Sequence, residues 1–216
     1  MGCQFSYEFY SLIKQQFPFE PTLKQNIVLN QLSEFIFDKQ PNALYLLKGY
    51  AGTGKTTIVG TIVTNLWKAK KSAVLMAPTG RAAKVISNYS GKEAFTIHKK
   101  IYFPKKEKNG GVKFVLQPNK HKNTLFIVDD ASMMPDTPGE SKLFENGSLL
   151  DDLMQYVYSG HQCKLLLIGD TAQLPPVKLD LDQWKKKLFI CKTSPLFAEA
   201  IRRTHYEGGS ISELLE

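Results

Sequence analysis

Residues 49–56 read Gly-Tyr-Ala-Gly-Thr-Gly-Lys-Thr, the G-x-x-x-x-G-K-[ST] spacing of a loop that wraps phosphate. Glycines at this spacing let consecutive backbone N–H groups turn inward on an anion. A helix that starts where the loop closes adds its positive end to the same site. The nucleotide cradle is therefore placed at Gly49, Ala51, Gly52, Thr53, Gly54, Lys55, Thr56 and Thr57. Lys55 is expected to reach the β and γ phosphates of a nucleoside triphosphate, and Thr56 to hold Mg2+.

Two further patterns could complete the chemistry. The apolar run Leu125-Phe-Ile-Val128 ends in Asp129 and Asp130, and strand tips are where α/β sheets place ligands. Asp129 is expected in the magnesium shell opposite Thr56, with Asp130 orienting or deprotonating the attacking water. In isolation such a pair would equally serve as a helix cap; the phosphate loop upstream favours chemistry. The third pattern is Leu165-Leu-Leu-Ile-Gly-Asp-Thr-Ala-Gln-Leu-Pro-Pro-Val177. Here a buried strand runs into Gly169-Asp170, and Pro175-Pro176 stiffens the exit so that Gln173 faces the γ phosphate.

These residues need a scaffold, and the hydrophobic pattern supplies one. Short continuous apolar runs at Ala43–Leu47, Ala73–Met76, Leu125–Val128 and Leu165–Ile168 read as strands covered on both faces. Helical spacing occupies Thr56–Lys68, Gly80–Asn88 and Leu149–Tyr158 between them, after two opening helices near Tyr7–Gln16 and Thr22–Phe37. Alternating strands and helices predict an α/β fold, with a mainly parallel, doubly wound sheet carrying helices on both faces. Ile101–Pro118 departs from that rhythm. Its aromatic and β-branched residues surround Asn109-Gly110-Gly111, the pattern of a small β-hairpin insertion.

Composition narrows the possible partners. The net charge of +8 is almost entirely local, because Lys99–Lys122 holds eight lysines against the single acid Glu107. A block of that density is the footprint expected for a polyanion such as nucleic acid. Cys3, Cys163 and Cys191 lie far apart without histidines at metal spacing, which gives no disulfide framework or zinc site. A cytoplasmic, monomeric protein is expected. The apolar runs are far too short to span a bilayer, so no membrane partner is indicated.

Taken together, the phosphate loop, Asp129-Asp-Ala-Ser132 and Gly169-Asp-Thr-Ala-Gln-Leu-Pro-Pro-Val177 resemble superfamily 1 DNA helicases of the RecD and Dda type, which move 5′ to 3′. The resemblance covers about residues 20–177. It implies the N-terminal RecA-like P-loop domain of such an enzyme, using ATP and Mg2+ on single-stranded DNA or a DNA fork. Phe19-Glu-Pro-Thr-Leu-Lys-Gln25 is similar to the family's Q motif, in which Gln25 would read adenine. Ala77-Pro-Thr-Gly-Arg-Ala-Ala-Lys84 resembles the element that grips the DNA backbone, assigning Pro78, Thr79, Gly80, Arg81 and Lys84 to DNA. Phe95-Thr-Ile-His98 resembles the next DNA-contacting element, with Thr96 for a phosphate and His98 for a phosphate or base face. The hairpin occupies the slot where these enzymes insert a small β domain that helps split the duplex. The implied organisation is residues 1–40 as N-terminal helices with the adenine reader and 41–216 as the RecA-like domain. The basic insertion falls at about 99–122.

Two departures qualify the resemblance. The family usually has glutamate where Asp130 stands, and aspartate is shorter by about 1.5 Å, so binding is better supported than hydrolysis. The second RecA-like domain, which would close the site with arginines, is expected to be absent. Arg202 in Ala198-Glu-Ala-Ile-Arg-Arg203 is the candidate remnant of that arginine element, against the reading of a basic surface helix. Two rival functions remain open at this level: a small-molecule kinase built on a phosphate loop, and a nucleic-acid-binding module whose ATPase is impaired at Asp130.

Overall fold

The computed structural model describes residues 2–50, 52–106, 111–134, 149–169 and 188–189. Two helices lead, α1 (Gly2–Gln15) and α2 (Leu23–Phe37). They are followed by β1 (Leu44–Lys48), α3 (Lys55–Asn65), β2 (Ser72–Ala77), α4 (Gly80–Ser90), β3 (Ala94–Thr96) and α5 (Ile97–Ile101). The hairpin strands are β4 (Tyr102–Lys106) and β5 (Val112–Leu116); then come β6 (Thr124–Val128), α6 (Leu149–Tyr158), β7 (Lys164–Gly169) and the two-residue β8 (Leu188–Phe189).

Six strands form one sheet in the order β3-β2-β6-β7-β1-β8, and every described pairing in it is parallel. Successive side chains on a strand point to opposite faces, so each apolar run feeds two cores. Tyr45, Leu47, Leu125, Ile127, Leu166 and Ile168 face a cluster completed by Phe9, Ile13, Leu29, Leu32, Ile58, Ile62 and Ile86 of helices α1 to α4. Leu44, Phe126, Val128, Leu165 and Leu167 face the other, against Ile97 and Ile101 of α5 and Leu153, Met154 and Val157 of α6. Each fully buried Leu, Ile or Phe contributes roughly 1.5–3 kcal/mol relative to exposure. The sheet is thus the shared wall of both cores.

The expected fold class is what forms: parallel strands, helices on both faces, and an antiparallel hairpin in its own two-stranded sheet. Boundaries move for identifiable reasons. Helix α1 begins at Gly2, five residues before the expected start, because Phe5 and Phe9 pack on Phe37 with ring centroids 6.3 and 5.8 Å away. Helix α3 stops at Asn65, and residues Leu66–Ala69 tighten into a 3-10 turn. There Thr64 Oγ1 donates to the Gly60 carbonyl and Asn65 Nδ2 to the Thr61 carbonyl, side-chain bonds that bend or end helices. The sequence expectation omitted β3, α5 and β8, which at three, five and two residues are too short to carry a period.

Candidate functional site

Strands β1, β6 and β7 run parallel, so their C-terminal ends share one edge of the sheet. β7 lies between the other two, with Lys48 opposite Gly169 and Val128 opposite Leu167. The glycine-rich loop leaves the tip of β1, Asp129 follows the tip of β6, and Gly169 stands between them. The loop is tied to that middle strand by the Gly49 N–H, which donates to the Gly169 carbonyl at 3.3 Å.

The loop's backbone demands its glycines. Gly52 and Gly54 have φ of +77° and +85°, a region that L side chains enter only with strain. Gly54 also caps α3, and a Cβ there would stand 2.5 Å from Gln25 Nε2. Lys55, the first residue of α3, turns back on the loop: its Nζ donates to the Gly49 and Tyr50 carbonyls at 2.5 and 2.7 Å. Thr53 is likewise folded inward, its Oγ1 donating to the Tyr50 carbonyl at 2.8 Å. Ala51 is outside the described residues. The cradle is internally hydrogen-bonded, with the lysine cation resting on carbonyls that a phosphate would outcompete.

Gln25 sits against this loop. Its side chain closes a capping box with Thr22, Oε1 accepting from the Thr22 N–H at 3.0 Å, while Nε2 donates to the Thr53 carbonyl at 3.2 Å. The amide that would read a base is therefore already in hydrogen-bonding register with the loop. Thr56 and Thr57, in the first turn of α3, line a cavity of about 380 Å³ with Gly60, Thr61, Thr64, Asn65 and Tyr89, and with Gln16 just past α1.

Across the edge, both oxygens of Asp129 are held. Oδ1 accepts from the Asp130 N–H at 3.1 Å, and Oδ2 accepts from the Tyr89 hydroxyl at 2.6 Å. Burial, with this bond and the carboxylate's charge, raises the Tyr89 phenol above its ordinary value, so it stays protonated and donates. Asp130 adopts φ +51° and ψ +38°, the left-handed region in which aspartate and asparagine are the favoured non-glycine residues. Nothing in the spacing relates Tyr89 to a residue 40 positions away; only the packing of α4 on β2, the strand that pairs with β6, does. Gln173 and Arg202 lie outside the described residues.

The residues assigned to DNA gather beside β2 and β3. Pro78 and Thr79 leave the tip of β2, and Thr79 caps α4 by accepting from the Ala82 N–H at 3.2 Å. Gly80, Lys84 and Thr96 line one groove of about 290 Å³ with Lys99 and Glu93. Thr96 caps α5. Arg81 and His98 are exposed but do not line the groove; the His98 ring lies 5.9 Å from Tyr102. Next to it, the hairpin pairs Lys105 with Lys113 and Lys106 with Val112. Its base is anchored by Tyr102, whose hydroxyl donates to the buried Asp152 carboxylate at 2.5 Å. No helix among the described residues is long and apolar enough to cross a membrane.

Comparison with known proteins bears on the same segments. Residues 33–179 match the family model described as AAA domain. The ATP-dependent RecD2 DNA helicase of Deinococcus radiodurans is 32% identical over 159 residues, covering 73% of this chain and 19% of that protein. The ATP-dependent DNA helicase dda of Enterobacteria phage T4 is 34% identical over 135 residues, 61% of this chain and 28% of its own length. The chain thus corresponds to less than a third of either relative.

Proposed function

Because this chain belongs to the AAA domain family, as the N-terminal domain of a superfamily 1 helicase of the RecD and Dda type, we propose that it couples ATP hydrolysis to movement on single-stranded DNA. The observation that carries the proposal is the shared strand edge. Glycine loop, Asp129-Asp130 and the tip of β7 converge there, and the groove holding Gly80, Lys84 and Thr96 opens from the neighbouring strands.

In this reading the Gly52–Gly54 backbone and Lys55 hold the phosphates, Lys55 exchanging its loop carbonyls for phosphate oxygens. Gln25 reads adenine. Thr56 and Asp129 hold magnesium: one hydroxyl and one carboxylate suit an ion that completes its shell with water and nucleotide oxygens. When bound, the metal would neutralise charge on the β and γ oxygens. Asp130 positions the attacking water, and Gln173 senses the γ phosphate. A second RecA-like domain contributes the closing arginines, with Arg202 the candidate within this chain. Alternate closing and opening of two domains on DNA gives directional stepping, and the lysine hairpin at the fork assists strand separation.

Support for DNA over a small acceptor comes from the groove, whose Thr96, Lys84 and Lys99 and the helix start at Gly80 are suited to backbone phosphates. The test is steady-state ATP turnover by the wild type and Asp130→Glu, each with and without single-stranded DNA. Stimulation by DNA supports the motor reading. Turnover indifferent to DNA but dependent on a small acceptor would overturn it in favour of a kinase. A specific observation favours one second reading, a DNA-binding module with slow hydrolysis: Asp130 is short, and its left-handed backbone suits aspartate better than glutamate. Silence in both variants with DNA still bound selects it; a gain on introducing glutamate, of up to about 10²-fold, selects the motor.

A further inference from the structure

The bond between Tyr89 and Asp129 belongs to no motif, yet it joins the two halves of the proposed machine. Tyr89 is the penultimate residue of α4, whose other end carries Thr79, Gly80 and Lys84. The groove's lining follows α4 from Gly80 through Lys84 to Asn88, whereas Tyr89 lines the cavity beside Thr56, so α4 stands between the DNA groove and the nucleotide edge. At that edge the tyrosine does two things at once. Its hydroxyl donates to Asp129 Oδ2 at 2.6 Å, and the residue lines the same cavity as Thr56 and Thr57.

We propose that Tyr89 is a positioning residue that orients the Asp129 carboxylate for the magnesium shell and carries the state of the DNA-gripping helix to it. This rests on the reading of Asp129 as the metal-side carboxylate. With Oδ1 held by the Asp130 N–H and Oδ2 by Tyr89, the carboxylate is fixed in orientation, yet each oxygen keeps a lone pair for the metal. Groups in this outer position fix ligand orientation, and their loss typically costs about 10- to 100-fold in metal affinity. The hydroxyl is on α4 and the carboxylate on the sheet, so any shift of α4 on taking up DNA changes this bond. By linkage, metal and nucleotide then change DNA affinity by the same factor.

The experiment titrates MgCl2 against binding of a fluorescent ATP analogue by the 216-residue chain, with and without oligo(dT). Tyr89→Phe keeps the ring and deletes only the donor. The expected result is a magnesium midpoint raised about tenfold with metal-free nucleotide affinity unchanged. Oligo(dT) should move the wild-type midpoint and leave that of Y89F in place. A midpoint identical to wild type overturns the positioning role, and an equal oligo(dT) response in both proteins, including none, overturns the relay. Asp129→Asn separates the layers. If it too leaves the midpoint unmoved, the reading of Asp129 fails along with that of Tyr89; if it alone moves it, only Tyr89 is misassigned. Should Y89F not fold, the wild-type chain carrying 13C at the tyrosine Cζ reports directly. A Tyr89 resonance that shifts with Mg2+ and nucleotide supports the assignment, and one that stays fixed overturns it.

Discussion

The two ends of the central sheet solve the problem of buried polarity differently. At the C-terminal edge the described polar groups find local partners: Lys55 on the Gly49 and Tyr50 carbonyls, Gln25 on Thr53, Tyr89 on Asp129. Among the described residues there, Ser132 Oγ is buried without a hydrogen bond. At the opposite edge, Lys164 opens β7 only 8% exposed, and its Nζ makes no hydrogen bond. It rests 4.8 Å from the centre of the Phe35 ring, and one oxygen of nearby Asp38 is equally unpartnered. Burial pulls the Lys164 ammonium down to about 8, with Asp38 pulling it up and Lys71 pushing it further down. The edge with the stressed lysine carries no motif, while the edge proposed for chemistry is internally satisfied. A site that exchanges ligands keeps partners it can release; a buried cation without a hydrogen bond is a stability cost.

The largest test of that contrast is Lys55→Ala. Charge-assisted bonds contribute about 1.5–3 kcal/mol each, so nucleotide affinity measured by calorimetry should fall at least about 100-fold while the melting temperature barely moves. Unchanged affinity would break the assignment of the C-terminal edge. Lys164→Met probes the other edge and should behave inversely, stabilising the fold by about 2 kcal/mol at pH 7 without altering nucleotide binding. An unfolded lysine keeps its proton to about pH 10.4, whereas the folded one releases it near 8. The cost of burying the charge is thus complete below pH 8 and disappears towards pH 10.5. Denaturant midpoints across pH 7–11 should show the advantage of the variant fading over that window, and an advantage independent of pH would refute the account. The smallest effect is expected from Thr79→Ala. Loss of the α4 cap costs about 1 kcal/mol, and Thr79→Ser should restore it. If Thr79 also serves DNA, the alanine variant weakens oligo(dT) binding, and a full-strength complex would confine the residue to its capping role.

How much of this was legible in the sequence depended on whether residues act through neighbours or across the fold. The apolar runs of β1, β2, β6 and β7 and the spacing of the loop are local properties, and the sheet follows them to within a residue or two. Helix α6 matches its expected span, Leu149–Tyr158, at both ends. Gln25 and the loop were separately visible, but their contact was not, since it depends on α2 crossing the loop. The Tyr89–Asp129 bond was invisible for the same reason, as was the strain logic at Asp130. The aspartate there looked like a truncated glutamate; its left-handed backbone supplies a conformational reason for the shorter side chain.

The basic hairpin has one more consequence. Lys105 and Lys113 face each other directly across β4 and β5, and like charges so placed oppose the pairing of their strands. Dissolved salt therefore pulls in two directions at once. It screens this repulsion and firms the hairpin, while by competing for phosphates it loosens any hold on a polyanion. A strand of nucleic acid laid along the lysines would supply the counter-charge itself, so the hairpin would be most firmly made where its cargo is already in place.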